Sequence, residues 1–137
     1  MTTAYDLGMQ KIANGETLIL DGGTSTELER RGAKMQNTQW SASVSFESFD
    51  LLVDTHRAYI DAGADGIMIQ SNENVHDKMI KFCTIYSQLD KRVPLVVALP
   101  SNMHMTDEDL ASLGVNVVIY TNHLLCAVYP AMSKAAH

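Results

Sequence analysis

The sequence predicts an α/β fold: about four parallel strands with helices outside them. Three observations predict it. Four short runs, Thr17–Leu20, Gly66–Gln70, Pro94–Leu99 and Asn116–Tyr120, are nearly continuous in Leu, Ile, Val or Met, the pattern of strands covered on both faces. Stretches with helical spacing separate them, and such alternation implies βαβ units and a parallel sheet. The length, 137 residues, suits one domain, residues 1–137, with a real core. A closed (β/α)₈ barrel usually takes at least about 200 residues, so the expectation is a partial barrel of this type or a small open sheet.

The elements follow in order as helix, strand, helix, strand, helix, strand, short helix, strand, helix. Phe49, Leu52, Val53, His56, Tyr59 and Ile60 recur at a 3.6-residue spacing, and Gly63 stands where that helix would stop. Across Asn74–Leu89, Val75, Met79, Phe82, Cys83 and Tyr86 form one stripe. Thr106 is placed to cap a short helix over Thr106–Leu113, with Asp107, Glu108 and Asp109 in its first turn and Gly114 beyond its end. The final helix, Asn122–Ala136, contains Pro130, which predicts a kink or a restart there. Gly32–Glu47, with the single tryptophan Trp40, is the least regular stretch.

Composition narrows the function classes. Apolar residues make up 46% and charged residues 19%, close to a globular average, which excludes a disordered chain or a disulfide scaffold. The longest apolar runs are far below the roughly 20 residues of a membrane span, and Met1–Ala13 lacks the basic start and apolar block of a secretory signal. The net charge is −6, with the acid excess concentrated in residues 1–65. No basic cluster exceeds the pairs Arg30–Arg31 and Lys91–Arg92, so no electrostatic footprint for nucleic acid exists. Cys83 and Cys126 are far apart and form no metal knuckle, which suits a reducing cytoplasm.

The string Leu18-Ile19-Leu20-Asp21-Gly22-Gly23-Thr24-Ser25-Thr26-Glu27-Leu28-Glu29-Arg30-Arg31-Gly32, with Trp40-Ser41-Ala42 and Ala62-Gly63-Ala64-Asp65 further on, resembles the opening of the homocysteine S-methyltransferase family. The likeness covers roughly residues 11–65. It implies a barrel strand ending in Asp-Gly-Gly, where Asp21 could receive an amino group and the glycines let backbone N–H groups approach a ligand. That family binds zinc through three cysteine thiolates, two of them in a Gly-Gly-Cys-Cys string. This chain has no such string and two cysteines in all, so zinc-dependent methyl transfer is not expected of it.

Residues 56–133 resemble the C-terminal part of phosphoenolpyruvate mutase and its relatives in the isocitrate lyase superfamily, phosphonopyruvate hydrolase and methylisocitrate lyase. The carriers are Ala58-Tyr59-Ile60-Asp61-Ala62-Gly63-Ala64-Asp65-Gly66-Ile67-Met68-Ile69, then Val93-Pro94-Leu95-Val96-Val97 and Gly114-Val115-Asn116-Val117-Val118-Ile119-Tyr120. The most specific is Asn122-His123-Leu124-Leu125 followed by Ala127 and Tyr129-Pro130-Ala131-Met132. This likeness implies Mg²⁺ as cofactor, yet residues 1–55 contain no Asp-x-Asp pair and no lid string of that kind. Gln70 stands where these enzymes usually have a histidine; it can hydrogen-bond a carboxylate or phosphonate but supplies no proton of comparable acidity. The two likenesses meet at the helix Asp54–Gly63, and the composite is expected to be catalytically incomplete by itself.

Other residues have plainer readings. His56 on the apolar stripe reads as a packed residue, and His76 and His104 as solvated turn residues. The Asp107-Glu108-Asp109 trio reads as first-turn dipole complementation rather than a metal cluster. Ser25 and Ser71 have no recognisable His/Asp partnership.

Three functions remain open: a mutase-type barrel enzyme, a methyltransferase relative without its zinc site, and a non-catalytic barrel part that assembles. A ligand site, for a small carboxylate or phosphonate, is expected at the carboxyl ends of the strands, from Asp21, Gly22, Gly23, Gln70, Ser71, Ser101, Asn122 and His123. A homo-oligomer, most simply a dimer, is also expected. The open sheet edges favour it, and Leu124, Leu125, Val128, Tyr129 and Met132 on the final helix are the candidate contact.

Overall fold

The computed structural model describes residues 3–33, 49–70, 76–101 and 105–136. Trp40, Ser71, Val75 and His104 lie outside them, as does the side chain of His76. The described elements run α1 (Ala4–Ala13), α2 (Thr24–Arg30), α3 (Phe49–Asp61), β1 (Ile67–Gln70), α4 (His76–Tyr86), β2 (Leu95–Leu99), α5 (Asp107–Ser112), β3 (Val117–Tyr120) and α6 (His123–Ala135).

The three strands pair in parallel in the order β1-β2-β3. The expected first strand, Thr17–Leu20, is reduced to one parallel bridge between Leu20 and Gly66 on the free side of β1. Two carboxylates explain why no ladder forms there. Asp65 Oδ2 accepts the Ile19 amide at 3.1 Å, and Asp21 Oδ1 accepts the Met68 amide at 2.8 Å, so side chains take N–H groups that strand carbonyls would otherwise receive.

Burial also differs from the expectation of strands covered on both faces. Only β2 is buried throughout; β1 alternates buried and exposed residues, and β3 is largely exposed. Ile67, Ile69, Leu95, Val97 and Leu99 belong to one core with Leu52, Val53 and Ile60 of α3 and with Met79, Phe82, Cys83 and Tyr86 of α4. Burying an aliphatic or Phe side chain contributes about 1.5–3 kcal/mol, so this layer carries most of the stabilisation. The opposite sheet face bears Met68, Val117, Ile119 and, through its bridge, Leu20, and these are 39–45% exposed.

The helix ends follow the sequence signals. Thr106 caps α5 in a capping box: its hydroxyl accepts the Asp109 amide at 3.1 Å while Asp109 Oδ2 accepts the Thr106 amide at 3.0 Å. The acidic trio therefore serves the helix start. Gly63, at φ +106°, ends the turn after α3 in a conformation that L side chains rarely adopt. Helix α6 runs as one segment through Pro130, with no restart.

Strand β2 is fixed at its start from two sides. The Tyr86 hydroxyl donates to the Val93 carbonyl at 2.6 Å and accepts the Val93 amide at 2.9 Å. The Asn116 side chain accepts the Leu95 amide at 3.0 Å. Helix α1 lies across the amino ends of the strands, where Lys11 Nζ reaches Asp65 Oδ1 at 2.6 Å. The carboxyl of Asp65 is held below its ordinary range by Lys11 and then by the Ile19 amide, and the Lys11 ammonium is correspondingly raised.

Candidate functional site at the strand ends

Parallel sheets place ligand-binding loops at the carboxyl ends of their strands, where helix N-termini present N–H groups. Gln70 ends β1, Ser101 follows β2 by two residues, and Asn122 follows β3 by two. Gln70, Ser101 and Asn122 are exposed. Asn122 is the N-cap of α6 and makes no side-chain cap hydrogen bond. His123 opens α6 with its ring edge-on to Tyr120, centroids 4.9 Å apart, and its Nδ1 is buried without a hydrogen-bond partner among the described residues. The Cys126 thiol lies 3.5 Å from the Ser101 hydroxyl, and the Thr121 hydroxyl donates to the Leu99 carbonyl. Tyr120 donates to Asp107, which raises the Tyr120 phenol.

Asp21, Gly22 and Gly23 stand elsewhere. The bridge sets Leu20 level with Gly66, so Asp21 comes level with the start of β1 rather than with its end at Gln70. Its side chain is 2% exposed, and Oδ2 stands 2.8 Å from Nδ1 of His56, itself 1% exposed. The contact is one of distance; no aligned hydrogen bond joins the two atoms. His56 also meets Phe82 edge-to-face at 5.4 Å. Gly22 lies against Tyr59, whose hydroxyl would be 2.9 Å from a Cβ built there. The residue sequence reasoning missed is therefore His56, as Asp21's partner; its place on an otherwise apolar stripe was the available signal.

A concavity lies at the other end of the sheet. A cleft of about 340 Å³ between α1 and the amino ends of β1 and β2 is lined by Leu7, Gly8, Lys11, Asp65, Arg92 and Pro94, among others.

Among the described residues no group of three His, Cys, Asp or Glu side chains could hold a metal ion. Burial pushes the Cys83 thiol up to about 11, so it is a neutral packed group rather than a thiolate. No described helix is long and apolar enough to cross a membrane.

Comparison with known proteins follows the same division. The family model described as phosphoenolpyruvate phosphomutase matches residues 45–137, and the chain belongs to that family. Phosphonopyruvate hydrolase of Variovorax sp. (strain Pal2) is 35% identical over 79 residues, covering 57% of this chain and 26% of that protein. Homocysteine S-methyltransferase YbgG of Bacillus subtilis (strain 168) is 35% identical over 60 residues, 44% of this chain and 19% of its own length. Selenocysteine Se-methyltransferase of Brassica oleracea var. italica is 45% identical over 63 residues, 46% of this chain and 18% of its own. The matched part thus spans a fifth to a quarter of these relatives. No solved structure matches the chain. Both resemblances read from the residues are present.

Proposed function

We propose that the chain is a barrel part of the phosphoenolpyruvate mutase family, catalytically incomplete by itself, that binds a small carboxylate or phosphonate at the carboxyl ends of its strands. One observation carries the reading. Three adjacent parallel strands end in polar side chains other than carboxylates, at Gln70, Ser101 and Asn122–His123, while the carboxylate of Asp21 is withdrawn into contact with Met68 and His56. Such donors suit an anionic oxygen, and a carboxylate already committed inside the fold is a poor metal ligand or base.

Mg²⁺ enters through the family resemblance, and turnover would require acidic ligands beyond those the described residues bring together. The 15N–1H amide shifts of the chain, titrated with oxalate, phosphonopyruvate and homocysteine, test the reading. The first two are expected to move Gln70, Ser101 and Asn122, with no Mg²⁺-dependent conversion of phosphonopyruvate. Shifts confined to other residues overturn the site, and conversion overturns the incompleteness. A second reading, a methyltransferase relative without zinc, draws support from the 45% identity to the selenocysteine enzyme; it predicts that homocysteine alone moves the amides around Gly22 and Gly23.

A further inference from the structure

Among the described residues, helices α3 and α4 cover one face of the sheet, the other face is partly open, and no described strand lies beyond residues 17–20 or beyond β3. On the face away from α3 and α4, Leu20, Met68, Val117 and Ile119 are 39–45% exposed, while Val96 and Ala98 of the central strand between them are buried. Edge strands are ordinarily blunted with charges or proline, yet Thr17-Leu18-Ile19-Leu20 at one edge and Val117-Val118-Ile119-Tyr120 at the other carry neither. At the first edge, Ile19 and Asp21 direct main-chain groups toward Asp65 and Gly66, so by strand alternation those of Leu18 and Leu20 face outward.

Helix α6 points to the same conclusion independently. In βα architectures the helix after a strand covers the seam between that strand and its next neighbour. No described strand lies beyond β3, and α6 has no buried residue: Leu124 is 82% exposed, Tyr129 69% and Met132 66%.

We propose that a second copy of this chain closes the sheet into a ring, β3 of each copy pairing with residues 18–21 of the other. Among the described residues, the three strands and the bridged segment 17–20 of each copy together give eight strand positions, about the number at which side chains just fill a barrel interior. A two-fold axis along the ring keeps all strands parallel and makes the two seams identical.

The register follows from the shear. A ring of this kind displaces the pairing by about eight residues per circuit, hence about four per half. In a right-handed barrel the displacement runs toward the chain's N-terminus as one crosses from the Leu20 edge to the β3 edge. Leu20 is level with Gly66, Gly66 with Pro94 and Pro94 with Val115, so Val115 comes opposite Glu16 of the second copy. Val117–Tyr120 then lie opposite Leu18–Asp21 of the second copy. An even displacement keeps the faces matched: Ile119 meets Leu20 of the second copy inside, and Val118 meets its Ile19 outside. Ile19, 61% exposed, would then lie beneath the α6 of the other copy.

The inference does not rest on the ligand reading, and its test contains no ligand. Sedimentation equilibrium from micromolar to submillimolar protein is expected to show a species of twice 15.1 kDa, with Ile119→Lys sedimenting as a monomer. A second measurement reads the register, whether or not Ile119→Lys folds. In a Cys126→Ser background, Ile19→Cys with Val118→Cys is expected to give a covalent dimer on oxidation, and Thr17→Cys with Val118→Cys is not. Within one copy positions 19 and 118 lie three strand spacings apart, so only an intermolecular bond can form. A monomer across the whole range, meaning that something other than a second copy covers the face, overturns the proposal. A cross-link through residue 17 in preference to residue 19 overturns the register.

Discussion

Asp21 and His56 form a contact of 2.8 Å between side chains that are 2% and 1% exposed, joining the segment before α2 to the middle of α3 across the core. Asp21 also receives the Met68 amide at 2.8 Å, so one carboxylate binds a helix and a strand to the same point. A buried charge or polar group is costly when its partner is removed, and the cost falls on whatever remains.

Asp21→Ala is therefore expected to destabilise the chain by about 1–3 kcal/mol, because the Met68 amide is left without its acceptor beside the buried His56 ring. Asp21→Asn keeps an acceptor for Met68 and should cost less. Urea unfolding followed by circular dichroism measures both; equal midpoints for the wild type and Asp21→Ala would refute the structural role.

Cys83 is buried and its thiol is pushed up to about 11, whereas Cys126 is exposed. A thiol reagent at pH 8 should modify Cys126 at once and Cys83 only as the chain unfolds. With Cys126→Ser, the labelling rate should track urea concentration. Rapid labelling of Cys83 in the native protein would contradict the packing of α4.

Glu27 accepts hydrogen bonds from Arg30 and Arg31, which lower its carboxyl from 4.5 to about 2. A depressed folded value contributes stability that is present above the unfolded value and lost as pH falls through the folded one. The contribution should thus fade between about pH 4.5 and 2. Because Arg30 is 72% exposed, salt should weaken its share of the contact. Stability of the wild type against Glu27→Gln, measured across this range at low and high salt, checks it; a difference that persists unchanged to pH 2 would not fit.

Much of this fold is legible in sequence because it depends on local chemistry. The Leu, Ile and Val runs of β1, β2 and β3, the stripe of α3, and the capping box at Thr106 are each decided by neighbours a few residues away. The fate of Thr17–Leu20 was not legible, since it depends on carboxylates reaching across long separations to Ile19 and Met68. The Asp21–His56 contact escaped for the same reason, as a histidine on an apolar stripe looks like filler until the facing residue is known. Of the kink or restart expected at Pro130, the restart is absent: the helix continues through a residue that cannot donate its backbone hydrogen bond. At the strand ends, Gln70, Ser101, Asn122 and His123 were placed by strand position alone, whereas Asp21 was placed by motif and lies deeper.

Among the described residues, the links holding residues 3–30 to the sheet are remote in sequence: Ile19 to Asp65, Asp21 to Met68 and Lys11 to Asp65 span 46, 47 and 54 positions. The β1-α4-β2 and β2-α5-β3 units close much shorter loops. Loop-closure entropy is met before such distant contacts return anything, so residues 3–30 are expected to dock after the compact βαβ units have formed, although they precede those units in the chain.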